Sequence, residues 1–112
     1  MIITKIFTFD AAHKLINYDG PCANLHGHTY KLYVSVKGPV KDGFVIDFVD
    51  LKKIVKDKVI SKLDHITLND VIKQPTAENI IIWIWKQLEK ELNLTELKLY
   101  ETPDSYAIYN GK

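Results

Sequence analysis

Apolar and polar residues change rhythm several times along the chain, and each rhythm predicts an element. Residues 2–9 alternate with the period of two that a half-buried strand requires, with Ile3, Phe7 and Phe9 on one side. Residues 26–37 alternate more cleanly: His26, His28, Tyr30, Leu32, Val34 and Val36 share one face, and Gly27, Thr29, Lys31, Tyr33, Ser35 and Lys37 the other. The turn signal GPVKDG comes next, then a short FVI strand. Asp47 is placed to cap a helix in which Phe48, Leu51, Val55, Val59 and Leu63 recur at helical spacing. A polar loop, LDHITLND, leads to Thr76, which caps a second helix with the stripe Ile81, Ile84, Trp85, Leu88 and Leu92. The tail reads as a hairpin, ELKLYET and SYAIY around a Pro-Asp turn.

That order predicts an α+β fold in one domain, residues 1–112, with an antiparallel sheet and both helices on one of its faces. Such a sheet has an open edge and a second face. Tyr, Thr and Ser interleave with Lys along that face, which suits packing against further copies, so a homo-oligomer is expected. The balance of 46% apolar and 26% charged residues is that of an ordinary globular protein, and a net charge of +1 predicts neither nucleic-acid nor membrane-surface binding. All 15 basic residues are lysines, so an anionic ligand would meet point charges and no bidentate fork. The run from Ile80 to Trp85 is too short to cross a bilayer, and the N-terminus alternates and carries a lysine, unlike a secretion signal; a cytoplasmic location is expected.

The histidines change the picture. On a strand, His26 and His28 point the same way, with Gly27 between them adding no bulk. If the first two strands pair as an antiparallel hairpin, His13, just beyond the first in FDAAHKL, arrives beside them. Three imidazoles suit zinc and leave a fourth position. Cys22, the only cysteine, lies in CANLHGHTY. It either closes a structural zinc site or stays free, as a thiolate whose pKa a nearby metal lowers. Asp64 and His65 form either an acid/base dyad or the turn chemistry of a helix end. Thr76 and Glu78, in PTAEN, are explained as a helix N-terminus with an acidic first turn. Glu101 is stranger. It shares a face with Leu97 and Leu99, where a carboxylate is costly unless something polar meets it, and an amidine-like ligand edge would offer two donors.

Taken in order, FDAAHKL, CANLHGHTY, VIDFVDLKK, LDHITLN, PTAEN and YET resemble the 6-pyruvoyltetrahydropterin synthase and 6-carboxytetrahydropterin synthase family over nearly the whole chain. The resemblance implies a tunnelling fold: a four-stranded antiparallel sheet with two helices on one face, three subunits closing a barrel and two trimers commonly stacking as a hexamer, with active sites at subunit interfaces. It implies that His13, His26 and His28 hold a catalytic Zn2+, a Lewis acid toward the substrate 7,8-dihydroneopterin triphosphate. Cys22 matches the proton-abstracting residue and Asp64 with His65 the second acid/base group. Glu101 matches the carboxylate that grips the 2-amino and ring N–H edge of the pterin and is counted among the catalytic residues as part of the charge relay, and Thr76, with Glu78, lines the pterin pocket. The three residues between cysteine and HGH are as in the branch that releases triphosphate and acetaldehyde to give 6-carboxytetrahydropterin, the precursor of 7-deazaguanine bases such as queuosine. The alternatives are the pyruvoyl branch, a zinc hydrolase acting on another small substrate, and a non-catalytic zinc-stabilised interaction module.

Overall fold

A computed structural model describes residues 1–20 and 23–112. Four strands form one antiparallel sheet in the order β1-β2-β3-β4: β1 (Ile2–His13), β2 (His26–Lys37), β3 (Leu94–Thr102) and β4 (Ser105–Tyr109). The first two strands are twelve residues each and pair along their whole length, from Ile2 opposite Lys37 to His13 opposite His26. The first strand is therefore longer than its alternation suggested, and His13 is its last residue rather than a loop position. Ala11 and Ala12 interrupt the apolar rhythm without interrupting the ladder.

The predicted FVI strand does not form. Asp42 (φ 52°) and Gly43 (φ 90°) both take the left-handed backbone of a two-residue turn, closed by mutual hydrogen bonds between Lys41 and Phe44 at 2.8 and 3.0 Å. Beyond that isolated bridge the chain passes directly to Asp47, which accepts the Val49 N–H at 2.8 Å and caps α1 (Phe48–Val55). A π-helical turn (Lys56–Ile60) and α2 (Ser61–Leu63) continue it. The spacing of the apolar residues explains that wide turn. Leu51, Val55, Val59 and Leu63 are four apart, and in a 3.6-residue helix each such step drifts about 40° around the axis. The wider turn absorbs the drift, and all four side chains are fully buried. Phe48, assigned to the same stripe, is instead half exposed, with the Lys5 ammonium 5.9 Å from its ring. The last helix, α3 (Ala77–Leu88), is capped by Thr76, whose hydroxyl accepts the Asn79 N–H at 3.1 Å. Leu92 lies beyond its end but is still buried.

Both helical segments cover the same face of the sheet. Ile80, Ile81, Ile84 and Leu88 join Leu51, Val55, Val59 and Leu63 over Phe7, Phe9, Tyr30, Leu32, Val34, Leu97 and Leu99 in one core. On the other face, Ile6, Tyr106 and Ile108 are about half exposed, and the Lys98 ammonium lies 5.3 Å from Tyr33 and 5.4 Å from Tyr106. Between Tyr100 and Thr102 the β3–β4 register shifts by one residue, which makes Glu101 a bulge. No helix is long and apolar enough to cross a membrane among the described residues. Leu99 is fully buried beneath the helices, so Leu99→Ala is expected to cost ~2–5 kcal/mol of stability. Urea unfolding at fixed protein concentration measures it, and a loss below about 1 kcal/mol, on the order of a surface change, would contradict this core.

Candidate metal centre and flanking clefts

Antiparallel register brings the three histidines together. His13 and His26 are direct partners, and His28 stands two residues further along β2 on the same face. One nitrogen from each ring falls within 4.8 Å of the others, and the Nε2 atoms of His13 and His26 are 3.1 Å apart. Tyr30 continues this face as a floor. Its ring stacks on Phe9 with centroids 5.0 Å apart, and its hydroxyl comes within 3.4 Å of His13 Nδ1.

The hydrogen bonds fix which nitrogens face the centre. His13 Nδ1 donates to the Pro75 carbonyl at 2.7 Å, and His26 Nδ1 donates to the Asn24 carbonyl at 2.6 Å. With those protons on Nδ1, both Nε2 atoms of the neutral rings present lone pairs to each other, an arrangement that only a shared cation or an added proton reconciles. His28 Nε2 is buried without a hydrogen-bond partner. Burial lowers the His28 pKa most; the Glu101 carboxylate opposes this, and the neighbouring His13 and His26 lower it further. A neutral ring with an unshared lone pair results. Two nitrogens each ~2.0–2.1 Å from a tetrahedral zinc ion stand about 3.3 Å apart, close to the His13–His26 separation. The donor set therefore fits zinc, with Pro75 and Asn24 as the carbonyls that orient its ligands.

Glu101 completes the inner face. Because it shares the inward side of β3 with Leu97 and Leu99, its Oε1 reaches 3.3 Å from His13 Nε2 and 3.7 Å from His28 Nε2. Its nearest polar neighbours are thus two histidine nitrogens which, in the neutral tautomers, offer it no proton. Its charge adds to burial in raising the pKa of the Tyr30 hydroxyl.

Asp64 and His65 face one another, with His65 Nδ1 2.9 Å from Asp64 Oδ2. Their place comes from β1: the Asp10 N–H donates to Asp64 Oδ1 at 2.9 Å, and the His65 N–H donates to the Asp10 carbonyl at 2.6 Å. His65 adopts φ 62°, a left-handed conformation unusual for a side chain with a Cβ, and its ring projects into solvent, 77% exposed. The Asp10 N–H, and then the His65 ring, hold the Asp64 carboxyl below its ordinary pKa.

Two clefts meet at His28. One, of about 520 Å3, runs between His28 and His65 past Asp10, Thr29 and Thr67. The other, of about 610 Å3, runs from His28 to Glu101, Thr102 and Pro103 past Lys31, Tyr33 and Tyr100. Lys31 is the one lysine lining either cleft among the described residues. Thr76 and Glu78 line neither: Thr76 caps α3 and Glu78 is exposed in its first turn. Cys22 lies outside the described residues. Sequence reasoning missed Pro75, Asn24 and Asp10, which act through backbone groups that no side-chain pattern reveals. Tyr30 was visible, as the next residue on the face of His26 and His28.

The model of the family described as PTPS, 6-pyruvoyl tetrahydropterin synthase, matches residues 2–112. The chain is 36% identical to a 6-carboxy-5,6,7,8-tetrahydropterin synthase of Haemophilus influenzae over 136 aligned positions, covering 96% of each chain. It is 44% identical over 100 positions to a dihydroneopterin monophosphate aldolase of Pyrococcus furiosus, covering 84% of this chain and 83% of that one. Among solved structures, the 6-pyruvoyl tetrahydropterin synthase of Caenorhabditis elegans superposes with a TM-score of 0.90 at 27% identity, over 100% of this chain and 96% of that one.

Two outcomes are expected. Replacing His13, His26 or His28 by Ala abolishes stoichiometric zinc retention, measured by metal analysis after gel filtration; full metal content in all three variants would remove the centre. The lowered Asp64 pKa makes that carboxylate stabilising above its unfolded value, and the contribution is lost as pH falls through the folded value. Below about pH 4 the parent chain therefore loses stability more steeply than Asp64→Asn, and parallel acid unfolding curves would contradict the bond to Asp10.

Proposed function

The chain belongs to the 6-pyruvoyl tetrahydropterin synthase family, and from that premise we propose that it is a zinc-dependent 6-carboxy-5,6,7,8-tetrahydropterin synthase. In this reading a cytoplasmic homo-oligomer converts 7,8-dihydroneopterin triphosphate to 6-carboxytetrahydropterin, acetaldehyde and triphosphate, toward 7-deazaguanine bases. The observation that carries it is the convergence of three imidazoles at the junction of two clefts, one ending at a His–Asp pair and the other at a carboxylate. Bound by His13, His26 and His28, zinc supplies Lewis acidity toward the hydroxyls of the substrate side chain.

The chain's own groups divide the remaining work. His65 donates its Nδ1–H to Asp64, which fixes the tautomer and leaves Nε2 to take or return a proton in the first cleft. Cys22 is the complementary base, four residues before His26 in sequence. Glu101 stands where the second cleft meets His28, and there it accepts hydrogen bonds from the 2-amino and ring N–H edge of a pterin stacked near Tyr100. Thr76 and Glu78 contribute only across an interface, to the site of a neighbouring subunit. The half-exposed Ile6, Tyr106 and Ile108 on the open face, with the free edges of β1 and β4, support an assembly that closes the sheet.

A second reading is side-chain cleavage of a dihydroneopterin monophosphate. The 44% identity to the Pyrococcus furiosus protein favours it, as does a pair of clefts lined by one lysine among the described residues, which suits fewer phosphates. Product analysis separates the readings. Acetaldehyde with free triphosphate is expected; a pyruvoyl product or a phosphorylated two-carbon aldehyde would replace the proposal with one of its relatives, and no product from either phosphate ester would refute both. Cys22→Ala is expected to keep fold and zinc while turnover falls about 10²–10⁴-fold. Loss of zinc in that variant would mark Cys22 as a ligand and the centre as structural.

A further inference from the structure

The segment from Asp64 to Asn79 runs along the free edge of β1 and past its end, and its contacts repeat every second residue. At Asp10 the partners are Asp64 and His65; at Ala12, the N–H donates to the Ile66 carbonyl at 3.0 Å. After His13 the strand ends, and two side-chain amides take over. The Lys14 N–H donates to Asn69 Oδ1 at 2.9 Å while Asn69 Nδ2 donates to the Lys14 carbonyl at 2.8 Å. The Ile16 N–H donates to Gln74 Oε1 at 2.8 Å while Gln74 Nε2 donates to the Ile16 carbonyl at 2.9 Å. Each primary amide offers the same donor and acceptor as a peptide group and satisfies both backbone groups of one residue. Asn69 and Gln74 are in effect two rungs of a strand that has no backbone.

We propose that Asn69 and Gln74 are positioning residues for the metal centre, holding the chain just beyond β1 in place so that His13 keeps its direction. The inference rests on the zinc reading of the three histidines. His13 is the terminal residue of an edge strand, where fraying begins, yet its ring is fully buried and must be aimed at two rings on another strand. Its Nδ1 is held by Pro75, the residue after Gln74, so one short loop fixes both its backbone and its ring. Asn79 anchors that loop to α3, donating from Nδ2 to the Gln74 carbonyl at 2.9 Å. Removing either amide leaves the ligand set intact but loosens the ligand nearest the loop.

The test uses the full chain with Asn69→Leu and Gln74→Leu, which remove both bonds at similar volume, and Asn69→Asp and Gln74→Glu, which keep the acceptor and lose the donor. Zinc affinity is measured by chelator competition at a temperature where circular dichroism shows each variant folded, alongside the visible spectrum of the cobalt(II) form. The leucine variants are expected to bind zinc roughly 10–100-fold more weakly with an altered cobalt spectrum, and the acidic variants to lie between them and the parent. Parental affinity and spectrum in the folded variants, even with a lowered melting temperature, would overturn the proposal and leave the amides a purely structural role. If the leucine variants do not fold, the acidic pair decides by the same two readouts. A parent chain that takes up no metal would refute the zinc reading itself, whereas a metal-binding parent with unaffected variants refutes only the role of the amides.

Discussion

The alignment of β1 with β2, which brings three imidazoles to one place, is the constraint on which the site depends. Two lie on one strand and the third at the end of its neighbour, so the constraint is on pairing itself. A slip of one residue between β1 and β2 would send His26 and His28 to the open face and leave His13 buried among apolar side chains. The apolar pattern enforces the same register: Phe7, Phe9 and Ala11 reach the core only when Tyr30, Leu32 and Val34 do. Core packing and the convergence of the three rings thus share one alignment. Neither requirement has to be met at the expense of the other.

Around that point the charges are graded. His28 is kept neutral mainly by burial, while Glu101, partly exposed, brings a carboxylate to within reach of two rings. At the far side of the first cleft the ionised Asp64 orients a ring that is open to solvent. A substrate lying across His28 would meet a largely enclosed ring of neutral imidazole nitrogens in the middle and wet, proton-exchanging groups at the end. That gradient suits chemistry in which a buried centre withdraws electron density and an exposed group moves protons.

Much of this was legible in the sequence, and the limits have physical causes. The period-two face of residues 26–37 is unambiguous because one side is uniformly apolar or aromatic below the histidines. His13 required an assumption about pairing, which the register then satisfied. The FVI segment failed because three apolar residues carry no period, and an Asp-Gly turn joins only its own two flanks. Phe48 shows the limit of reading a helix stripe at its first turn, where the chain has not yet reached the core. Asp64 and His65, ambiguous as neighbours in sequence, became a pair only because β1 supplied backbone partners to both. The contribution of Pro75 and Asn24 is made by carbonyls, which every residue possesses and no composition can reveal.

The extra residue at position 101 gives the second cleft an arithmetic character. Without a bulge, the ladder between β3 and β4 would run straight into the Pro103–Asp104 turn, with no residue left over between Tyr100 and Thr102. What the position holds is open to exchange by point mutation, and Asp or Gln would still look toward the histidines. Its inward direction follows from its spacing of two from Leu99 and four from Leu97 along β3, while the bulge leaves it unmatched in the ladder to β4.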